Sequence, residues 1–281
     1  MRLKSYSEAP KLYLIPTPIG NMKDITLRSL EILKEVDILL CEDTRETGLF
    51  LKQLNIKKKL IACHDYNEDT VKEKALSYLK GGYTIGLVTD RGTPIISDPG
   101  YKVVKFIINN GYAVVSLPGA TAFVPALTMS SLSPSPFLFY GFLNAKSSKR
   151  KLELKALELL PYTLIFYESP HRMEETLKDI LTIFGNRYIS LTREISKLYE
   201  EVIHGTVEEV LSLVATLKGE MVLVVEGNLK EKDYTSDSIE EQLTEYLNKG
   251  YNEKDAIKEV AHLRGIAKNE VYQVYHVKEQ K

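Results

Sequence analysis

Residues 87–100 read LVTDRGTPIISDPG: an apolar run ending in an acid, then a loop with two glycines, two prolines and a single basic side chain. Glycine tolerates positive φ and proline fixes φ, so both mark turns. A tight turn between a strand and a helix is one reading, but it needs only a few residues, so a loop of this length at a strand end reads at least as well as a binding loop. The stretch therefore calls for a strand before it, a helix after it ("GYKVVKFIINNG", 100–111) and a ligand beside it.

Outward from this loop the same alternation repeats. "LYLIP" (12–16), "ILLCED" (38–43), "KLIAC" (59–63), "TIGLVTD" (84–90) and "AVVSLP" (113–118) are strand-like. Between the first two lies "DITLRSLEILKEVD", where Leu27, Leu30, Leu33 and Val36 recur every three residues and Asp24 or Thr26 can cap a helix. Strands alternating with helices predict a parallel sheet covered by helices. "SSLSPSP" (130–136) breaks the rhythm and marks a boundary. Beyond it, "FLFYGF" (137–142), "TLIFYE" (163–168), "RYISLTRE" (187–194), "EEVIHGT" (200–206) and "MVLVVEG" (221–227) predict a second α/β layer with antiparallel pairs. A polar linker, "NLKEKDYTSDS" (228–238), precedes a helical tail. In the tail "AHLRGIAKNEV" (261–271) fits two helices around a glycine, either helix-turn-helix-like or a plain helical hairpin. The expected fold is α/β: a first domain at 1–130 with a parallel sheet, a second α/β domain at 131–228, and a helical tail at 236–281.

Composition narrows the function. A formal net charge of -1 gives no global field to attract nucleic acid, so such a partner needs a local patch. The run "KSSKRKLELK" supplies one, with Lys146, Lys149, Arg150 and Lys151 as candidate RNA contacts; the other reading is a solvated helix start. Residues 230–281 hold nine Lys or Arg against eleven Asp or Glu, which is poor for gripping phosphates and suits protein contacts. Two cysteines without CxxC spacing and five scattered histidines give no metal site and no disulfide framework, as suits a cytoplasmic protein. "MRLKSYSEAP" has no apolar leader, and no 18-residue apolar run occurs, so no membrane span is expected.

In an open parallel sheet, ligands bind beyond the carboxyl ends of the strands. Four loops follow strands there: "PTPIGN" (16–21), "EDTRETG" (42–48), "TDRGTPIISDPG" (89–100) and "PGATA" (118–122). No GxxxxGK[ST] and no GxGxxG is present, and prolines and acids disfavour a pyrophosphate. Acidic loops suit a ligand with ribose hydroxyls and a positive centre, such as S-adenosylmethionine. Gly92 would let the backbone approach such a ligand closely.

The series "LIPTPIGNMKDITLRSLEILKEVD", "CEDTR", "TDRGTPIISDPGY", "LPGATA" and "LIFYESPHR" resembles the small-subunit rRNA methyltransferase I family of the tetrapyrrole methylase superfamily. The resemblance implies two α/β domains with the cofactor cleft between them, a homodimer, and S-adenosylmethionine-dependent 2′-O-methylation of a cytidine ribose in 16S rRNA near the decoding centre, on free RNA or the small ribosomal subunit. It also implies cofactor contacts at Pro18, Asp90, Thr93, Thr121, Ala122 and Glu168. Arg91 stands where the family pattern has alanine and Ile95 where it has glycine. For catalysis, Asp43 is the candidate base or orienter, Arg45 a phosphate or carboxylate clamp, and His171 a titrating group from the second domain. In the plainer alternative Glu42 pairs with Arg45 to tie down the loop, Thr121 caps a helix, and His171 only packs. Two other functions remain open. A small-molecule methylase acting on a porphyrinoid would not need "KSSKRK", and a non-catalytic scaffold would not need intact "EDTR" and "DRGTP" loops.

Overall fold

The computed structural model describes residues 9–229 and 238–276. Five strands, β1 (Lys11–Leu14), β2 (Ile38–Cys41), β3 (Lys59–Ala62), β4 (Ile85–Val88) and β5 (Ala113–Ser116), form an all-parallel sheet in the order β3-β2-β4-β1-β5. Of the three inner strands, β2 and β4 are buried along their whole length, which is why their sequences are unbroken apolar runs.

The strand order fixes where the helices go. From β1 to β2 to β3 the chain moves toward one edge of the sheet, through α1 (Leu27–Glu35) and α2 (Thr44–Gln53). It then turns back through α3 (Glu68–Lys80) and α4 (Tyr101–Asn109) toward the other edge. Because parallel crossovers are right-handed, the reversal puts α3 and α4 on the opposite face from α1 and α2. The cores agree. Ile32, Leu33 and Leu51 pack with Leu39 and Val88, whereas Val71, Ala75, Leu79, Val103 and Ile107 pack with Leu40, Ile85 and Leu87. The reversal happens between the neighbours β1 and β4, so their outgoing loops part there and leave a crevice.

The second sheet is mixed, with the order β6-β7-β10-β8-β9: β6 (Phe137–Phe142), β7 (Thr163–Glu168), β8 (Tyr188–Arg193), β9 (Glu201–Thr206) and β10 (Met221–Val225). Only β6 and β7 pair in parallel; the other three pairings are antiparallel. One face packs under α6 (Ser147–Leu157), α7 (Pro170–Phe184) and α8 (Val207–Leu211), through Leu154, Leu177 and Val210. The other face takes α5 (Phe123–Met129), whose Ala126 and Leu127 sit against Ile165, Val222 and Val224. The Phe123 ring stacks on Phe139 at 4.5 Å. A helix that follows β5 is thus the cover of the second sheet.

Both sheets belong to one compact unit, Met1–Asn228, and Leu229–Lys281 forms a second. The second unit has α9 (Ile239–Asn248), opened by a Ser238–Glu241 capping box, then α10 (Glu253–Arg264) and α11 (Lys268–His276). Gly265, at φ +63, ends α10 in the left-handed conformation and makes the glycine turn expected there. Leu243, Ile257, Val260 and Val271 form its core. The opening segment and most of the 228–238 stretch read as a linker lie outside the described residues. No helix among the described residues is long and apolar enough to cross a membrane.

Gly86 in β4 marks the tightest packing of the first sheet. A Cβ there would stand 2.5 Å from Leu39 Cδ2 and 2.9 Å from Ile15 Cδ1. Gly86→Ala is therefore expected to cost about 1–3 kcal/mol through overpacking. Urea unfolding checks this, and an unchanged midpoint would mean that the strands part more easily than their packing indicates.

Candidate active site

All four sequence-marked loops are joined by hydrogen bonds at the carboxyl edge of the first sheet. Thr17 in the first loop and Gly92 in the third exchange two backbone bonds, 2.9 and 3.0 Å, and Thr17 Oγ1 donates to the Thr89 carbonyl at 3.1 Å. Thr93 Oγ1 donates to the Ala120 carbonyl of the fourth loop at 2.9 Å. The second loop joins through Thr89 Oγ1, which donates to Glu42 at 3.3 Å, and through the Asp43 amide, which donates to Asp90 at 3.3 Å. The far end of the third loop is held by buried Glu68, which accepts from the Gly100 amide at 2.7 Å.

This bonding keeps the third loop in a strained shape. Gly92 is at φ +87, where a side chain would be strained. Ile95 at φ +77 and Ser97 at φ +66 also occupy the left-handed region, which costs about 1–3 kcal/mol per non-glycine residue. Ile95 sits where glycine had been the expected residue, and it packs instead against the core under α3 and α4.

Between these loops and the second sheet lies a cavity of about 330 Å³. Its first-half lining includes Ile19, Gly92, Thr93, Asp98, Thr121 and Ala122. The second half contributes Phe142, Tyr167, Glu168, Ile195, Met221 and Val222. Apolar walls with a few convergent polar groups suit a small organic ligand. Three carboxylates, Asp98, Glu168 and Glu220, join the neutral hydroxyl groups of the lining, and Arg91 is the one Lys or Arg among its described lining residues. Burial, with Glu42, Asp90 and Asp65 nearby, pushes the Asp98 carboxyl up to about 6 despite a hydrogen bond from Thr89. Burial also raises Glu42 and Asp90 above the usual carboxylate range. Such a cavity favours a positively charged ligand and disfavours a polyphosphate. The thiols are inert, since burial lifts Cys41 to about 11 and Cys63 to about 12.

Of the residues marked in the sequence, Gly92, Thr93, Thr121, Ala122 and Glu168 line the cavity. Pro18 is buried, and its neighbour Ile19 faces the cavity. Asp90 is exposed and accepts from the second loop. The Thr121 hydroxyl bonds the Tyr167 phenol and does not cap α5. Glu168 is buried, accepting from the Ser169 amide and Thr176 at 2.8 Å and paired with Arg172 at 3.2 Å. Asp43 caps α2 and binds Arg45 at 2.6 Å, so Asp43 rather than Glu42 ties the loop. Hydrogen bonds from the Arg45 side chain and amide hold its carboxyl down at about 2. His171 is exposed in the first turn of α7, beside the lining residue Pro170.

One expectation needs correction. Arg150 is fully buried, with Nε on Asp179 at 2.7 Å, so no phosphate reaches it. Lys151 also leans on Asp179 at 3.3 Å, which leaves Lys146 and Lys149 as the exposed cations of the patch. The signal was present in the sequence: Arg150, Leu154 and Leu157 follow helical spacing and share the buried side of α6. Glu220 and Tyr167 escaped the sequence reading, the latter because a strand residue gives no sign of which loop it faces, while Asp98 and Arg91 stood out in the third loop as charges without an assigned contact.

The model of the tetrapyrrole (corrin/porphyrin) methylases matches residues 11–211. A Bacillus subtilis (strain 168) protein named ribosomal RNA small subunit methyltransferase I is 43% identical, covering 99% of this chain and 98% of that one. An Escherichia coli O157:H7 protein of the same name is 43% identical over 93% of each. Among solved structures, uroporphyrin-III C-methyltransferase from Thermus thermophilus complexed with S-adenosylhomocysteine superposes at a TM-score of 0.55 and 18% identity, covering 77% of this chain and 97% of that one. The methyltransferase CobJ superposes at 0.60 and 13%, covering 78% and 95%. At these identities the two structures speak for the fold alone.

The raised Asp98 carboxyl gives the cavity a pH signature. Its folded value of about 6 lies above the ordinary 3.8, so its contribution to stability is full below 3.8 and is lost as pH rises through about 6. Asp98→Asn is therefore expected to be more stable than the parent at pH 8, by about 1 kcal/mol after solvent screening, with the gap closing below about pH 5. Thermal melting of both proteins across pH 4.5–8 checks this; a gap independent of pH would refute the burial of that charge.

Proposed function

The chain belongs to the tetrapyrrole (corrin/porphyrin) methylase family, and from that membership we propose that it transfers a methyl group from S-adenosylmethionine to the 2′-oxygen of a cytidine ribose in 16S rRNA near the decoding centre. The acid-lined cavity at the β1–β4 crevice carries the reading. Its apolar walls at Ile19, Ile195 and Val222 suit a flat base, Thr93 and Thr121 suit ribose hydroxyls, and its carboxylates suit a positively charged sulfur. S-adenosylmethionine supplies the methyl group on such a sulfur. The choice of rRNA over another acceptor is supported by relatives 40–43% identical over nearly the whole chain that bear the name of an rRNA methyltransferase.

The chain's own residues then divide the work. Gly92, Thr93, Thr121, Ala122 and Glu168 hold the cofactor, with Pro18 and Asp90 shaping the loops behind it. A ribose hydroxyl is a weak acid, so an acceptor that titrates near neutrality assists its attack. Asp43, held at about 2, is a weak acceptor, and its role is to orient Arg45, which is 86% exposed and free to meet a backbone phosphate. Asp98, on the cavity wall and near 6, takes the acceptor role. His171 stands beside the cavity as a further substrate contact, and Lys146 and Lys149 engage phosphates farther along the RNA. The same reading has a cytoplasmic homodimer with domains at 1–130 and 131–228, and the unit from residue 236 contacting the ribosomal particle.

Labelled methyl transfer to small ribosomal subunits from cells lacking this protein, followed by mapping of the label, tests the proposal. Label on a cytidine 2′-oxygen of 16S rRNA is expected; label on a base, or none, would refute it. Asp98→Asn is expected to slow transfer by about 100-fold or more, and Asp43→Asn by less than about tenfold. The reverse order would return the acceptor role to Asp43. Replacing Lys146 and Lys149 by glutamate is expected to weaken RNA binding and lower the salt slope of log K by about one to two; an unchanged slope would remove the patch.

A further inference from the structure

Arg91 and Glu220 face each other across the cavity. Arg91 comes from the third loop of the first sheet, next to the Gly92 backbone pinned to Thr17. Glu220 precedes β10 of the second sheet, and the two side chains form an ion pair between the halves. Glu220 does not depend on that pair, because Lys197 binds its other oxygen at 2.7 Å and is itself held by Glu194 at 2.9 Å. Arg91 can therefore exchange one carboxylate for another without leaving Glu220 uncompensated.

A ligand with a sulfonium and an amino-acid end carries two positive groups and one carboxylate. Asp98, which has no ion pair among the described residues, suits a positive group, whereas Glu168 and Glu220 are already paired, with Arg172 and with Lys197 and Arg91. The carboxylate would be repelled by Asp98, and a buried charge without a partner is costly. Arg91, as the one Lys or Arg among the described lining residues, is the side chain that can neutralise it.

We propose that Arg91 is the recognition residue for the α-carboxylate at the amino-acid end of the cofactor, exchanging Glu220 for that carboxylate while Lys197 keeps Glu220 paired. This rests on the cofactor reading above. The guanidinium fork matches a carboxylate in a way a lysine does not.

Calorimetric titration with two probes separates the possibilities: S-adenosylhomocysteine, which has the amino-acid end, and 5′-methylthioadenosine, which lacks it. The parent is expected to bind the former more tightly. Arg91→Gln is expected to weaken S-adenosylhomocysteine by roughly ten- to hundredfold, leave 5′-methylthioadenosine within about twofold, and melt with the parent. Arg91→Lys should recover part of the loss. Equal losses for both probes, or no loss for either, would overturn the assignment, since Arg91 would then only shape the cavity or not matter. If the parent binds neither probe, the cofactor reading itself fails and the assignment falls with it.

Discussion

The pair of backbone hydrogen bonds between Thr17 and Gly92 is the constraint on which the site depends. In a sheet whose strand order reverses between β1 and β4, the two outgoing loops have no reason to stay together, because one leads toward each edge. Bridging them with two bonds at the point of divergence turns an opening into a wall. The strained turn at Ile95 and Ser97 follows, since a loop pinned at Thr17 and again by Glu68 at Gly100 has little freedom in how it spans the distance. The positions of Thr93, Asp98 and the fourth loop follow in turn.

Much of this was legible in the sequence for a physical reason. β2 and β4 are buried on both faces, so their runs are wholly apolar, and the breaks between them stand out as turn chemistry. The four loops at the strand ends were recognisable from Gly, Pro and Asp, and they meet as expected. The strand order was not legible, since nothing local in a parallel strand names its neighbour. For the same reason Tyr167 and Glu220 were missed: they reach the cavity because of how the second sheet is placed. Arg150 failed differently. Its neighbours Lys149 and Lys151 made a cationic run easier to see than the helical period that turns it inward onto Asp179.

Charge is distributed with some economy around the cavity. Burial first and neighbouring carboxylates second raise three groups at the sheet edge: Asp90 acts on Glu42, Asp43 and Glu46 act on Asp90, and Glu42, Asp90 and Asp65 act on Asp98, while the Thr89 hydroxyl bonds Glu42 and the Asp43 amide bonds Asp90. A positively charged guest relieves that repulsion on entry. Relief of that repulsion favours a cationic guest over a neutral one of the same shape.

The placement of α5 bears on how the molecule could be divided. The chain reads as two halves joined near residue 130, yet α5 is encoded before that point and buries Ala126 and Leu127 in the second sheet. A fragment ending at Met129 would carry a bare apolar helix, and one beginning at Ser130 would have an uncovered sheet over Ile165, Val222 and Val224. Recombination of this fold with a relative would therefore succeed more readily with a crossover ahead of Phe123 than at the proline-rich seam, so the boundary that heredity can use is not the one that the loop composition advertises.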